Sequence, residues 1–301
     1  MDPNLLRTFV TVARLRSFSA AAHELGYTQS AISQQVAALE ADLGLPLLGR
    51  RPVEPTPAGE RLLEHAGPLL LRLRAARADV LRAAAQPAHR LRLAATPLAV
   101  NAVLAGRLAE ARAAQPRLRV EVRTCDRERL AELLAEGEAE LGLADGIAAP
   151  SDPLRLPESG PMTTVGVSEE DLVVALPPGH PLAGRRALRL ADLVDARWLQ
   201  TPLCPLPRLR DLAGDGFAAA LVYQGDDVHT VLNLVAAGHG LTLLPASAGR
   251  GVPLVAPRLV HRVELVHGAL PPGPAAALAT ALTGPDRPAG LTPRAGRRPA
   301  G

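Results

Sequence analysis

The chain has 301 residues, a length that favours two domains over one large core. Charged residues make up 21% of the chain and apolar residues 48%, values typical of globular proteins. No apolar run approaches the roughly 20 residues of a membrane helix, and the N-terminus lacks the pattern of a signal peptide. We therefore expect a cytoplasmic protein without a membrane partner. The two cysteines, Cys125 and Cys204, support neither a disulfide scaffold nor a cysteine-rich zinc site.

The formal net charge of +3 is unevenly distributed. Residues 1–90 carry a net charge of +3, residues 91–284 carry −3, and the tail 285–301 carries +3. A basic N-terminal part gives slight support for an anionic partner. The tail is rich in Pro, Gly, Ala and Arg, a composition that predicts disorder.

Short amphipathic helices are predicted in the first 45 residues. Ser19 is the expected N-cap of a second helix over residues 20–25, which Gly26 ends. Thr28 is the expected N-cap of a third helix over residues 29–43. Two helices joined by a three-residue turn that contains Gly form a helix-turn-helix motif.

The exposed face of the third predicted helix carries polar side chains of the kinds that contact DNA. Glutamine can bond an adenine edge in a bidentate way, serine can bond a base or a phosphate, and a helix N-terminus attracts phosphate. The expected DNA-contacting residues are Thr28, Gln29, Ser30, Ser33 and Gln34. The same residues also fit a solvated helix face, so this pattern alone leaves both interpretations open.

A proline-rich segment follows the third helix. Residues 52–57 suit a short extended wing, and Arg50 and Arg51 beside it are the expected contacts to phosphates or to the minor groove.

A long helix is predicted from Thr56, a suitable N-cap, to about residue 85, with a kink at Pro68. Its apolar residues alternate at spacings of four and three, and they are Leu62, Ala66, Leu69, Leu73, Ala76 and Val80. This heptad spacing predicts a dimer, and packing of the helix on its own domain is the alternative.

Residues 90–284 alternate between strand and helix patterns. Strands are predicted at 91–95, 118–123, 140–144, 172–176, 219–223, 241–244 and 262–267, and helices at 99–114, 127–136, 230–237 and 275–282. This alternation predicts two α/β lobes with a largely parallel sheet and a cleft between them. Crossings near Val165 and Val260 divide lobe I, residues 90–165 and 261–284, from lobe II, residues 166–260.

An ordered set of motifs resembles the LysR-type transcriptional regulators. The N-terminal signature includes residues 17–22, 28–33, 39–40, 43–44, Leu47 and 56–59, and further matches lie at 169–177, 180–183, 191–194, Trp198, 234–238 and 243–245. The resemblance covers residues 1 to about 283.

This resemblance implies an α+β multidomain protein. Its parts would be a winged helix-turn-helix over residues 1–59, a dimerising linker helix over 57–86, and a two-lobed effector-binding domain similar to type 2 periplasmic binding proteins over 90–284. The implied partners are double-stranded promoter DNA, a small-molecule effector, a second copy of the chain in a homodimer or homotetramer, and RNA polymerase.

Three positions depart from the family pattern. The wing is about two residues shorter than usual, and Glu54 stands where a basic or neutral residue is common, which predicts weaker phosphate binding. Leu48 replaces a frequent Phe, and His239 interrupts a usual Gly-Leu-Gly.

The effector is expected at the carboxyl ends of strands in the cleft. The expected effector-binding residues are Thr96, Pro97, Leu98, Cys125, Asp126, Arg127, Asp145, Gln200, Thr201, Asp226 and His229. If Thr96 caps a helix and Arg127 binds a carboxylate, the ligand is a small organic acid. In the alternative, Arg127 pairs with Asp126 or Asp145, and two nearby acids leave a zwitterion open.

Two other classes of function remain at this point. Cys125 and Cys204 both fall on predicted loops that face the cleft, so a thiol-based redox-responsive regulator is one alternative. A cytoplasmic enzyme on the same two-lobed fold is the other. Because the sequence has no nucleophile elbow, Gly-rich phosphate loop or HExxH spacing, we expect no enzyme activity, no cofactor and no metal.

Overall fold

The computed structural model describes residues 1–49, 51–84, 89–154, 156 and 162–284. Arg50 and the tail 285–301, which is expected to be disordered, lie outside the described residues. An N-terminal unit spans residues 1–80, and a C-terminal unit holds most of the remaining chain.

The described residues of the N-terminal unit form the helices α1 (Pro3–Leu15), α2 (Phe18–Leu25), α3 (Gln29–Leu43) and most of α4 (Pro57–Ala84). The predicted N-cap of α2 is wrong by two residues, because Ser17 Oγ accepts from the Ala20 amide at 3.2 Å and the helix already begins at Phe18. Gly26 ends α2 with a φ of 71°, a left-handed conformation that glycine adopts without strain. Thr28 caps α3 as predicted.

The apolar faces of these helices enclose one core. Its fully buried side chains include Phe9, Val12, Ile32, Leu39 and Leu47. The segment after α3 forms a short hairpin, in which the Gly49 amide donates to the Glu54 carbonyl at 2.8 Å and the Thr56 amide donates to the Leu47 carbonyl at 2.9 Å. The hairpin agrees with the extended wing that the prolines predict.

The described part of the C-terminal unit has ten strands and five helices. The strands are β1 (Arg90–Ala95), β2 (Arg119–Thr124), β3 (Leu141–Ala148), β4 (Thr163–Ala175), β5 (Leu188–Arg189), β6 (Arg197–Gln200), β7 (Ala218–Val222), β8 (Thr242–Pro245), β9 (Val252–Ala256) and β10 (Val260–His267). The helices are α5 (Ala102–Ala114), α6 (Arg127–Ala135), α7 (Leu206–Ala213), α8 (Val228–Ala236) and α9 (Pro274–Thr283). The sequence misses β5, β6, β9 and α7.

The main sheet is mixed, so the prediction of a largely parallel sheet is wrong. Its strands lie in the order β2-β1-β3-β10-β4-β9-β5, β8 pairs with β4, and β6 and β7 form a separate parallel pair. Strands β1, β2 and β3 are parallel, but β10 pairs antiparallel with both β3 and β4. Strand β10 reaches this position because the chain returns from lobe II to lobe I through it.

Strands β4 and β10 carry the chain between the lobes. Val167 of β4 packs in the lobe I core with Leu143 and Leu265, whereas Leu172 of the same strand packs in the lobe II core with Trp198. The crossing therefore lies inside a continuous strand, between residues 167 and 172, a few residues beyond the predicted position. No helix in the described part of the chain is long and apolar enough to cross a membrane.

Candidate nucleic-acid interface and effector cleft

The N-terminal end of α3 presents one polar, exposed face. Thr28 Oγ1 accepts from the Ala31 amide at 3.2 Å, which fixes the start of the helix. Gln29, Ser30, Ser33 and Gln34 are exposed, while Ile32, Val36 and Leu39 bury the opposite side of the helix. The structure thus brings the five predicted DNA-contacting residues of this helix together.

Tyr27 lies directly before this face and is 45% exposed, although it is not among the predicted DNA-contacting residues. A tyrosine hydroxyl can donate to a phosphate oxygen. Its signal in the sequence is a lone aromatic residue at a turn between two helices.

The wing carries Arg51 on its exposed surface. Glu54, the acidic residue that departs from the family pattern, lies 3.3 Å from the guanidinium of Arg16. This exposed ion pair partly offsets the charge of Glu54, so the acid opposes phosphate binding less than its position in the sequence suggests.

The predicted dimerisation seam of α4 has two parts. Ala66 is fully buried in the core of its own unit, and Leu62 packs against that core. These two residues pack on their own domain and not against a second chain, because the first turns of α4 cover the helix-turn-helix. Leu69, Leu73 and Val80 are 40%, 49% and 70% exposed, and Ala76 is also exposed.

Thr96 does not cap a long helix, so that expectation is wrong. Only a three-residue 3-10 helix follows Thr96, and α5 begins at Ala102 with Asn101 as its cap. Thr96 is buried instead, where its Oγ1 accepts from the Asp145 amide at 2.8 Å and lies 3.3 Å from the Leu143 carbonyl. The hydroxyl ties the end of β1 to β3.

Arg127 begins α6 and is half-buried. Its Nε and Nη2 donate to the main-chain carbonyl of Asp145, with the Nε bond at 3.0 Å. The guanidinium lies over Gly146, where an added Cβ would be 1.8 Å from Nη2. Burial lowers the pKa of Arg127 and the Asp145 charge opposes that shift. Arg127 therefore forms neither carboxylate ion pair of the alternative interpretation, since Asp126 accepts from the Arg129 amide and Asp145 faces a histidine.

His261 of β10 lies between two carboxylates, a cluster that was not predicted from the sequence. Its Nε2 is 2.9 Å from Asp145 Oδ2, and its Nδ1 is 3.5 Å from Glu170 Oε1. Burial opposes the charged imidazolium, but the Nε2 hydrogen bond to Asp145 and the charges of Asp145 and Glu170 outweigh it and raise the pKa of His261 to about 9. The Nδ1 contact with Glu170 is an ion-pair contact only, because Nδ1 has no hydrogen-bond partner among the described residues. Burial raises the carboxyl pKa of both acids, but His261, together with Thr96 and Arg127 at Asp145 and with Ser247 at Glu170, outweighs this and lowers it.

The residues of lobe II expected to bind the effector lie in varied surroundings. Leu98 of lobe I packs directly in a cluster with Leu199 and Val231 of lobe II. The lobe II residues expected at the cleft differ in exposure: Thr201 is buried, Gln200 is half-buried, and Asp226 and His229 are exposed. Pro97 is half-buried.

The two cysteines lie in different surroundings. Cys125 is half-buried, and burial, Asp126 and Asp226 raise the pKa of its thiol. Cys204 is fully buried in the lobe II core, so it does not line the surface of the cleft as its predicted loop suggests. Burial raises the pKa of the Cys204 thiol, and the Leu243 amide and Thr242 hydroxyl oppose that shift. Within the described residues, no three His, Cys, Asp or Glu side chains are grouped to hold a metal ion.

Two family models match the chain. The model described as "Bacterial regulatory helix-turn-helix protein, lysR family" matches residues 3–60, and the model described as "LysR substrate binding domain" matches residues 84–278. Together they cover both units.

The chain is similar along most of its length to curated regulators. It is 38% identical over 283 residues to a probable hydrogen peroxide-inducible genes activator of Mycobacterium avium, covering 88% of this chain and 83% of the relative. It is 30% identical over 256 residues to the HTH-type transcriptional regulator BenM of Acinetobacter baylyi, covering 82% and 81%.

Solved structures of full-length regulators are also similar. Full-length CbnR in complex with its target DNA aligns with a TM-score of 0.51 and 25% identity over 94% of this chain and 98% of that chain. A hydrogen peroxide-bound cysteine-to-serine mutant of Corynebacterium glutamicum OxyR aligns with a TM-score of 0.51 and 26% identity over 94% and 93%.

Proposed function

Because this chain belongs to the family of LysR-type transcriptional regulators, we propose that it controls transcription in response to a small organic acid that binds between its two lobes. As a regulator of this family it has a helix-turn-helix domain and an effector-binding domain. The choice of an organic acid as the effector rests on Arg127.

The exposed face of α3 and the wing contact the DNA. Gln29 is the base-reading residue, because its amide can form paired bonds with an adenine edge. Arg51 and Arg50 neutralise phosphates from the wing, and Thr28, Ser30, Ser33 and Gln34 complete the interface. The similarity to CbnR, which was solved with its target DNA, supports this assignment.

Arg127 carries the proposal of an organic acid. Its guanidinium is held by a main-chain carbonyl, and among the described residues it forms no ion pair, so its positive charge remains available to a ligand carboxylate. The N-termini of α6 and α8 are less available to a ligand, because Asp126 and Asp227 cap them with their own carboxylates. The ligand carboxylate therefore depends on Arg127 more than on a helix dipole.

The assembly and its cellular partners follow from the same proposal. Two copies join through the exposed half of the α4 seam, residues 69–80, in a homodimer or homotetramer. The oligomer acts in the cytoplasm on promoter DNA and contacts RNA polymerase there. The chain needs no cofactor and is not an enzyme.

A response to oxidants is a second candidate, which a different observation favours. The Thr242 hydroxyl is buried without a hydrogen-bond partner among the described residues, and it adjoins the Cys204 thiol together with the Leu243 amide. These two donors lower the pKa of the Cys204 thiol but burial raises it more, so Cys204 can attack a peroxide only after it loses its proton. The name of the Mycobacterium avium relative, a probable peroxide-inducible activator, supports this candidate.

One binding experiment separates the two candidates. Binding of the full chain to the promoter region beside its own gene is measured by fluorescence anisotropy at a fixed salt concentration, with a panel of carboxylic and amino acids and with hydrogen peroxide. An organic-acid response should disappear in Arg127→Gln and persist in Cys204→Ser and in the exposed control Arg185→Gln. The reverse pattern, a peroxide response that only Cys204→Ser abolishes, would replace the organic acid by an oxidant.

A further inference from the structure

Strands β4 and β10, which connect the lobes, carry side chains of opposite charge at paired positions. His261 of β10 is paired in register with Glu170 of β4, and the next residue, Arg262, is paired with Glu169. Because neighbouring residues of a strand point to opposite faces, one ion pair lies on each side of the sheet. The charges sit where β4 passes from lobe I to lobe II.

His261 is the centre of a chain of contacts that runs from one lobe to the other. Toward lobe I, its Nε2 is 2.9 Å from Asp145 Oδ2 on β3. Toward lobe II, its Nδ1 is 3.5 Å from Glu170, whose carboxylate accepts from the Ser247 hydroxyl at 3.0 Å and from the Ser247 amide at 3.1 Å. Ser247 follows β8 of lobe II. Only 2% of His261 is exposed, so water does not screen these contacts.

We infer that His261 is a positioning residue, whose imidazolium joins Asp145 of lobe I to the Glu170–Ser247 pair and thereby fixes the orientation of the lobes relative to each other. The cleft in which an effector binds takes its width from this joint. The link to regulation rests on the proposed function, whereas the geometry of the joint does not.

Charge balance explains why this position needs a cation. Without the proton on His261, the carboxylates of Asp145 and Glu170 would both face a neutral ring, and only Thr96 and Arg127 at Asp145 and Ser247 at Glu170 would offset their desolvation. The acids in contact with His261 are these two, from β3 and β4. The cations on neighbouring helices are Arg127 of α6, which donates to the Asp145 carbonyl, and Arg208 of α7, which donates at 3.3 Å to the carbonyl of Ile147, the β3 residue paired with His261. On the other face of the sheet, Arg262 forms its own ion pairs with Glu169 and Glu264, so the connection between the strands persists when the His261 joint is released.

The distance between the lobes tests this inference. Spin labels are placed at two exposed positions, Val122 of lobe I and Val255 of lobe II, which are 39% and 53% exposed, in a chain whose two native cysteines are replaced by serine. Labelled chains are diluted into excess unlabelled protein, so that only distances within one chain are measured by pulsed dipolar spectroscopy. Neither DNA nor ligand is added.

We expect a single narrow distance distribution for the parent at pH 7, and a shifted or roughly twofold broader one for His261→Gln. The parent should change in the same way when the pH is raised through about 9, where His261 loses its proton, and His261→Gln should not respond to pH. The exposed His239→Gln serves as the matched control and should behave like the parent.

Ser247→Ala covers the case in which His261→Gln does not fold. It removes one hydroxyl bond from Glu170 at an exposed site and should broaden the distribution to a smaller extent. If His261→Gln folds, an unchanged narrow distance distribution in that chain overturns the inference. If it does not fold, the inference is overturned by an unchanged distribution in Ser247→Ala together with a parent distribution that does not respond to pH. Since the measurement involves no ligand and no operator, such a result leaves the proposed function untouched.

Discussion

Gln29 and Arg51 occupy different parts of the proposed DNA interface, so replacing each of them should impair DNA binding in a different way. Gln29→Ala should reduce discrimination between the operator and altered sequences by about 1 to 3 kcal/mol, because a bidentate amide contact reads one base. Arg51→Ala should weaken binding to every sequence alike and lower the salt slope by about 0.9, because one phosphate contact is lost.

The measurement is anisotropy on a set of operator variants over a range of salt concentrations. Gln115→Ala, the same change at an exposed residue of the C-terminal unit, is the control and should leave both quantities unchanged. Equal affinity ratios for the Gln29→Ala chain and the parent at every site would remove Gln29 from base readout.

The buried histidine predicts a definite pH dependence of stability. The pKa of His261 is about 9 in the folded chain, above its ordinary value of 6.5, so the folded state holds a proton that the unfolded state releases between these values. Protonated His261 adds roughly 3 kcal/mol to the free energy of unfolding. This stabilisation is fully present below pH 6.5 and is lost as the pH rises through about 9. Toward acid, stability should fall again, because the pKa values of Asp145 and Glu170 are lowered in the folded state.

Urea unfolding of the full chain at several pH values measures this dependence. His261→Gln should be less stable at pH 6.5 and should lose most of the decline between pH 6.5 and 9, while His239→Gln should retain it. A decline of the same steepness in His261→Gln would assign it to other groups.

The residues of the α3 face could be predicted from sequence because helical periodicity is a local property. Gln29 and Ser33 are four residues apart, so they share a face wherever that helix forms. The surroundings of Arg127 could not be predicted in this way. Its guanidinium depends on the absence of a side chain at Gly146 and on the course of β3, which are features of the tertiary structure. The pairing of His261 with Glu170 likewise requires the register of two strands far apart in sequence.

The same division holds for whole elements. Strand β1 and helix α6 are predicted to within about a residue, because their apolar patterns are long enough to be distinct. Strand β5 has only two residues, Leu188 and Arg189, too few for an alternation to be recognised. The antiparallel placement of β10 between β3 and β4 depends on where the chain returns from lobe II, and no local pattern encodes that return.

The exposed half of the α4 seam can be tested as the self-association interface. Leu69→Glu should convert the oligomer to monomers, because it places a charge in the exposed half of the seam, where Leu69 is 40% exposed in the single chain. Sedimentation velocity measures the change. Glu64→Lys alters the charge at an exposed site outside the seam and should leave the assembly intact. An oligomer that survives Leu69→Glu would locate the self-association interface elsewhere.

At the scale of the whole molecule, the effector domain and the DNA-binding domain must be coupled in both directions. If a compound from the panel changes operator affinity by some factor, the operator must change the affinity for that compound by the same factor, since linkage is reciprocal. We expect a factor of about 5 to 150, the range of a coupling free energy of 1 to 3 kcal/mol. Calorimetric titration of the compound into the free chain and into the operator complex measures it, and Arg127→Gln should abolish both effects together. A compound that changes operator affinity without a matching change in its own binding would not act through equilibrium binding to this chain, and covalent oxidation of a cysteine would then be the interpretation to pursue.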